Sequence, residues 1–275
     1  MKLPGLDRLG TVGMVGERKA ISLLCLGFYT TLFFMIGLSA RTELPEWLPV
    51  FIGMTLIYII AFMSVAAEWF WGRWFATGLG YWGMTMAVMA FVTTRSLPTP
   101  MIVFGVMHGL ISLCLMGEKM AVAFDAKPAW REKWKLDEQG VIRVRRSVTR
   151  MASSLPALIM FALAPREGSD AFGVAVFDCS ALALLAVGVF AMGGLLLTLR
   201  TWSVMALGAV GVVTLAKWTA VPSMLWSAHS YLDPAALPGA GFAFYLQGPF
   251  AGVMLIAAAL PFLGPMTRFL VRGRR

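Results

Sequence analysis

Two histidines, His108 and His229, carry the acid–base chemistry open to this chain. Imidazole changes protonation near neutral pH, so either could act as a base, shuttle a proton or bind a substrate. His108 lies in an apolar run eight residues past Pro100. At about 1.5 Å per residue that places it roughly 12 Å along a helix. The competing reading is a neutral ring hydrogen-bonded to a Thr, Ser or carbonyl of a neighbouring helix. His229 stands near Ser230, Tyr231 and Asp233. These four could form a small catalytic site, or only a polar loop. No other apolar run contains a histidine, which removes paired haem ligation, di-iron and most zinc chemistry, so no metal or cofactor is expected.

Charged groups offer two further possibilities. Lys217 and Asp178 each fall near one end of an apolar run and could pair at the same level. Lys217 could instead extend its ammonium to the interface, beside Trp218. Around Trp130 and Trp134, four apart and so on one helical face, stand Lys127, Arg131, Lys133 and Lys135. Arg143, Arg146 and Arg150 follow at helical spacing. This basic stretch suits anionic lipid headgroups or a partner protein, and it is equally what topology-setting charge with interfacial tryptophans looks like. A second aromatic cluster, Trp69, Trp71 and Trp74, fits a tight turn at a headgroup boundary. Walker, G-x-G-x-x-G, H-E-x-x-H and G-x-S-x-G motifs are absent.

The elements that must position these groups are apolar helices. Of 275 residues, 59% are apolar and only 13% charged, with mean hydropathy +0.78. Such a chain has too little polar surface to cover itself in water, so lipid must be its solvent. A spanning helix needs about 20 apolar residues. Eight stretches approach that: 20–40, 48–67, 75–94, 101–117, 147–164, 172–199, 202–221 and 242–263. The first exceeds the apolar centre of a cleaved signal and is expected to be a span. The fifth is short, contains Pro156, and is expected to recruit the preceding turn with Arg150 reaching outward. The sequence therefore predicts an all-α, polytopic membrane bundle forming one transmembrane domain over 1–275.

Charge placement orients the bundle. With both ends cytoplasmic, 19 of the 23 Lys and Arg fall inside, Arg41, Arg95 and Arg166 fall outside, and Lys217 lies within a span. Positive-inside asymmetry of that size supports eight spans. It also explains the net charge of +9 without nucleic acid. The basic loop 118–146 is then cytoplasmic, with Asp137–Gly140 read as a turn, and 222–241 is an outer loop. Cys25, Cys114 and Cys179 read as buried small apolar side chains. Four spans on each side of the basic loop would give two parallel halves, with Trp82 falling on Trp202.

Two short stretches, Thr31–Ser39 and Val103–Gly109, resemble membrane acyltransferases related to heparan-α-glucosaminide N-acetyltransferase. The resemblance implies acyl transfer, but this chain lacks the family's preceding helix with its own histidine, so the family's catalytic role falls on no residue here. Three functions follow as expectations. The first is a non-catalytic subunit or scaffold of a larger membrane complex, with lipids and other membrane subunits as partners, in a bacterial cytoplasmic membrane. The second is a transporter or channel for a small or lipidic solute. The third is a lipid-facing or acyl-transfer enzyme using His108 or His229.

Overall fold

A computed structural model describes residues 15–94, 99–125, 137–164, 179–198, 201–220 and 246–272. These are almost entirely helical, with no strand among them. The chain divides into two compact units, Met1–Asp137 and Glu138–Arg275. The first holds α1 (Val15–Glu43), α2 (Leu48–Ala66), α3 (Gly72–Thr94), α4 (Thr99–Leu115) and the short α5 (Glu118–Asp125). The second holds α6 (Glu138–Leu163), α7 (Cys179–Thr198), α8 (Thr201–Ala220) and α9 (Gln247–Arg272).

Among the described residues, five helical stretches are long and apolar enough to cross a membrane: Val15–Glu43, Pro45–Ala66, Gly72–Val92, Cys179–Leu197 and Gln247–Gly264. A sixth arises if α4 and the first turns of α5, bent by 71° from it, count as one broken span. Their outward side chains are apolar: Leu24 is 73% exposed, Phe190 71% and Val92 68%. Water would not stabilise such surfaces, whereas hydrocarbon does. The protein is a multi-pass, all-α membrane bundle.

In the first unit the helices run up and down. Gly27 faces Phe62 and Gly37 faces Phe51, so α1 and α2 are antiparallel. Gly80 faces Ser112 and Gly105 faces Ala87, so α3 and α4 are antiparallel too. Helix α1 also packs on α4, closing the four helices into a ring. The turn after α2 is a Schellman-type cap. Trp69 N–H donates to the Ser64 carbonyl at 2.9 Å and Glu68 N–H to the Val65 carbonyl at 3.2 Å. Glu68 occupies the left-handed position, φ 52°, where glycine is usual. Lys19 Nζ reaches across from α1, donating to the Ala66 carbonyl at 3.1 Å and pairing with the Glu68 carboxylate at 2.8 Å.

Helix α4 ends at a glycine break, Gly117 with φ 102°. The last carbonyls of a helix lack intrahelical donors. Two arginines supply them here. Arg18 on α1 donates to the Leu113 carbonyl at 2.9 Å and to that of Met116. Arg73 on α3 donates to the Leu115 carbonyl at 3.2 Å. Both side chains are buried. Their charge also suits the negative end of the α4 dipole.

The second unit repeats the neighbour order. Helix α6 packs on α7, α7 on α8, α8 on α9, and α9 back on α6. Leu158 meets Gly188 while Phe161 and Ala162 cluster with Ala181 and Leu185; Gly188 meets Val210 while Gly194 meets Ser203; and Gly208 meets Ala259 while Gly252 meets Leu215, so each helix opposes the next in direction. The glycines let the α8 and α9 backbones approach closely, as small residues do between membrane helices. Helix α6 begins at Glu138 and runs unbroken through Gly140, so the turn expected at Asp137–Gly140 is instead a helix start. Acidic Glu138 suits that N-terminus. The sequence pairing of Trp82 with Trp202 also fails: Trp82 lies mid-way along α3, whereas Trp202 is the second residue of α8.

Candidate functional site

His108 is wholly buried in the first unit. It sits on the α4 face turned toward α1, α2 and α3. Its Nδ1 donates to the carbonyl of Phe104, one turn earlier, at 2.8 Å. That carbonyl only accepts, so Nδ1 carries a proton. Nε2 lies 2.5 Å from the hydroxyl of Tyr58, itself fully buried on α2. A neutral ring with Nδ1–H accepts there from the Tyr58 O–H, and both nitrogens are satisfied. A neutral, doubly bonded imidazole is the form least costly to enclose away from water.

Aromatic rings complete the enclosure. Ring centroids of Phe104 and Tyr29 lie 4.2 and 4.3 Å from that of His108. Trp82 stands edge-on at 6.1 Å. The Tyr29 hydroxyl donates to the Phe104 carbonyl at 3.3 Å, so that one oxygen serves two donors. On the remaining side is Gly83 of α3. A β-carbon there would lie 2.1 Å from the imidazole, so only glycine fits. Four helices thus converge on one side chain: α1 through Tyr29, α2 through Tyr58, α3 through Gly83 and Trp82, and α4 through His108 itself.

Tyr58 and Tyr29 are the residues that sequence reasoning missed. Their positions along the helices match that of His108. Tyr58 lies ten residues into α2 and Tyr29 ten residues past Lys19, each about 15 Å along its helix, level with His108. A tyrosine hydroxyl carries no charge to draw attention to it, yet away from water it needs a hydrogen-bond partner.

The other site candidates separate. In the second unit, Arg150 does not reach outward as expected. Its Nη1 donates to the Ala257 carbonyl of α9 at 2.6 Å, and Ser147 Oγ donates to the Ala258 carbonyl at 2.5 Å. The cause is Pro261, which lacks the N–H that would bond Ala257 four residues earlier and whose ring crowds that carbonyl. Arg143 bonds its own helix, donating to Gln139 Oε1 at 3.1 Å, and Arg146 is exposed. Lys217, near the end of α8, donates to Ser180 Oγ in the first turn of α7. Its expected partner Asp178 lies outside the described residues, as do Trp130, Trp134, His229 and Asp233. Cys25 is buried, Cys114 partly so, and Cys179 is exposed, unlike the buried position expected for all three.

One open groove runs between α3 and α4, on the side away from His108. It encloses about 480 Å³ and is lined by apolar side chains, among them Met84, Val88, Phe91, Ile102, Val106 and Leu110. Among the described residues, no group of three or more His, Cys, Asp or Glu could hold a metal ion. Fold and site together define a multi-pass helical membrane protein with a histidine built into its packing. Comparison with known proteins finds no matching family model, curated protein or solved structure.

Proposed function

We propose that the protein is a non-catalytic subunit or scaffold of a larger membrane complex. It crosses the bacterial cytoplasmic membrane eight times with both ends in the cytoplasm. The observation that carries the reading is the state of His108. The deepest side chain with acid–base capability has both nitrogens engaged, its ring enclosed, and contacts to four helices. It is spent on holding the first unit together. Eight spans are favoured by pairing. Helix α4 is too short and α6 too polar to qualify alone, and α8 is apolar over Trp202–Lys217; each packs against a helix that qualifies, α4 against α3, and both α6 and α8 against α9.

The test is gentle extraction of the tagged chain from its native membrane, followed by mass measurement of the intact particle. A reproducible assembly heavier than the chain, of fixed stoichiometry, is expected. A particle of one chain in every detergent and nanodisc tried sinks the reading.

The groove between α3 and α4 favours a second reading, a carrier of lipidic solutes. Its wall is apolar along two turns of α3 and three of α4. Sealed vesicles containing the protein should then move a fluorescent lipid between leaflets faster than empty vesicles. Acyl transfer at His108 would need the Tyr58 bond to open. Replacing His108 and His229 together by Ala, with no loss of any measured turnover, ends that third possibility.

A further inference from the structure

The α3 wall of the groove between α3 and α4 lies within Gly72–Val92, a stretch apolar enough to cross a membrane, so hydrocarbon surrounds it. Met84, Val88 and Phe91 form that wall, and Ile102, Val106 and Leu110 form the α4 wall, each set at helical spacing and each exposed. Glycines shape the floor. A β-carbon on Gly105 would lie 2.6 Å from that of Ala87, so the two helices close the bottom of the groove there. One turn further, a β-carbon on Gly109 would meet only Met84 Sδ, at 3.8 Å, and the groove stays open.

A space of this size is not left empty, because its lining would forgo dispersion contacts. Its dimensions select the occupant. From Met101 to Leu113 the α4 wall runs about 18 Å, at about 1.5 Å per residue. The acyl chain of one leaflet reaches about 15 Å, half of the hydrocarbon core. A methylene fills about 27 Å³, a little less than one water molecule's share of the liquid, so 480 Å³ holds about 17 of them, which is one chain and not two. A helix about 10 Å across would need roughly 1,400 Å³ over the same length, about three times the space enclosed. A helix of a second copy therefore does not fit, and a single chain does. None of the lining residues is charged, so the part recognised is the chain and not a headgroup.

We propose that this groove holds one acyl chain of a bilayer phospholipid. The proposal deepens the carrier reading, on whose groove it rests, but it does not need movement. A protein that retained the lipid without passing it between leaflets would fail as a carrier and keep the site.

The experiment is photolabelling of the detergent-purified full chain with a trace of palmitoyl phosphatidylcholine carrying a diazirine at mid-chain, followed by peptide mapping. Insertion should concentrate on residues 84–91 and 101–113, several-fold above the equally apolar exposed face of α7 around Phe190. Val106 stands midway along the α4 wall and is 57% exposed, so Val106→Trp leaves the packing intact while interrupting the path of a chain. It should cut groove labelling about fivefold or more, as should Gly109→Leu, which grows from the floor. Val212→Trp, on the exposed face of α8, should label as wild type does. Labelling spread evenly over every exposed apolar face, or unchanged in Val106→Trp and Gly109→Leu, overturns the proposal. Labelling of the groove by diazirine palmitic acid but not by the phospholipid overturns it also, because the occupant would then be a free fatty acid.

Discussion

If Tyr58 and His108 are a structural pair, their energies must be coupled, and a double-mutant cycle measures the coupling. Tyr58→Phe keeps the ring, so the packing against Tyr29 and Phe33 is preserved. What it removes is the hydroxyl 2.5 Å from Nε2. That nitrogen is then a buried acceptor with no donor, at a cost of about 1–3 kcal/mol. Hydrogen bonds between membrane helices average about 0.6 kcal/mol and reach about 1.7. Complete burial of both partners puts this one at the upper end, so Tyr58→Phe should destabilise by about 1.5 kcal/mol. His108→Leu alone strands the Tyr58 hydroxyl and takes one donor from the Phe104 carbonyl, which keeps Tyr29. Its cost should be about 2 kcal/mol or more. The double variant removes both polar groups together, so its loss should fall short of the sum by about 1–1.5 kcal/mol. Reversible unfolding by SDS titration in mixed micelles, followed by tryptophan fluorescence, reads all four corners. Losses that add within about 0.5 kcal/mol refute the hydrogen-bond account. A stable His108→Leu protein that has lost a transport or transfer activity refutes the structural role itself.

Three further outcomes can be read by the same unfolding assay. Arg150→Met should cost about 1–3 kcal/mol by leaving the Ala257 carbonyl without a donor, and clearly less when Pro261→Ala restores the backbone N–H; equal losses in the two backgrounds would separate Arg150 from the proline break. Glu68→Gly relieves a left-handed residue, worth about 1 kcal/mol, and loses a partly exposed ion pair worth less, so stability should hold or rise. Glu68→Ala keeps the strain, loses the pair and should be less stable than Glu68→Gly; the reverse order would count against the cap. Gly83→Ala should destabilise by about 1–3 kcal/mol or more, since its β-carbon would strike the imidazole. Gly109→Ala, whose β-carbon would meet only Met84 Sδ at 3.8 Å, should be tolerated.

Hydropathy made most of this fold legible. The spans expected at 48–67, 75–94, 101–117 and 202–221 agree within three residues with α2, α3, α4 and α8. Apolar length is a property of one segment, and lipid imposes it directly. What a single segment does not contain was harder to see. Helix α6 reads as two pieces, a charged turn and a short apolar span, because Gly140 and four arginines interrupt the pattern. It folds as one helix because α9 packs along it. The place of His108 mid-way along α4 was legible, but its partner was not, since no spacing rule ties Tyr58 to a residue fifty positions away. The Trp82–Trp202 register failed for a related reason: the two halves repeat in the order of their neighbours, not in residue identity.

Positive-inside counting treats every arginine at a span end as topogenic charge. Three of them here do more local work. Arg18 and Arg73 bond the carbonyls left open where α4 stops at Gly117, and Arg150 bonds the carbonyl left open by Pro261 in α9. In both units the first helix supplies an arginine to backbone groups of the fourth. Each sits where the helix ladder is broken. A guanidinium suits this task because its five N–H groups can serve several carbonyls at once while part of its charge stays near the interface. Replacing any of the three by lysine would keep the charge count that orients the chain and lose this geometry. Topology and stability should therefore separate in such variants, with the same sidedness and a weaker fold.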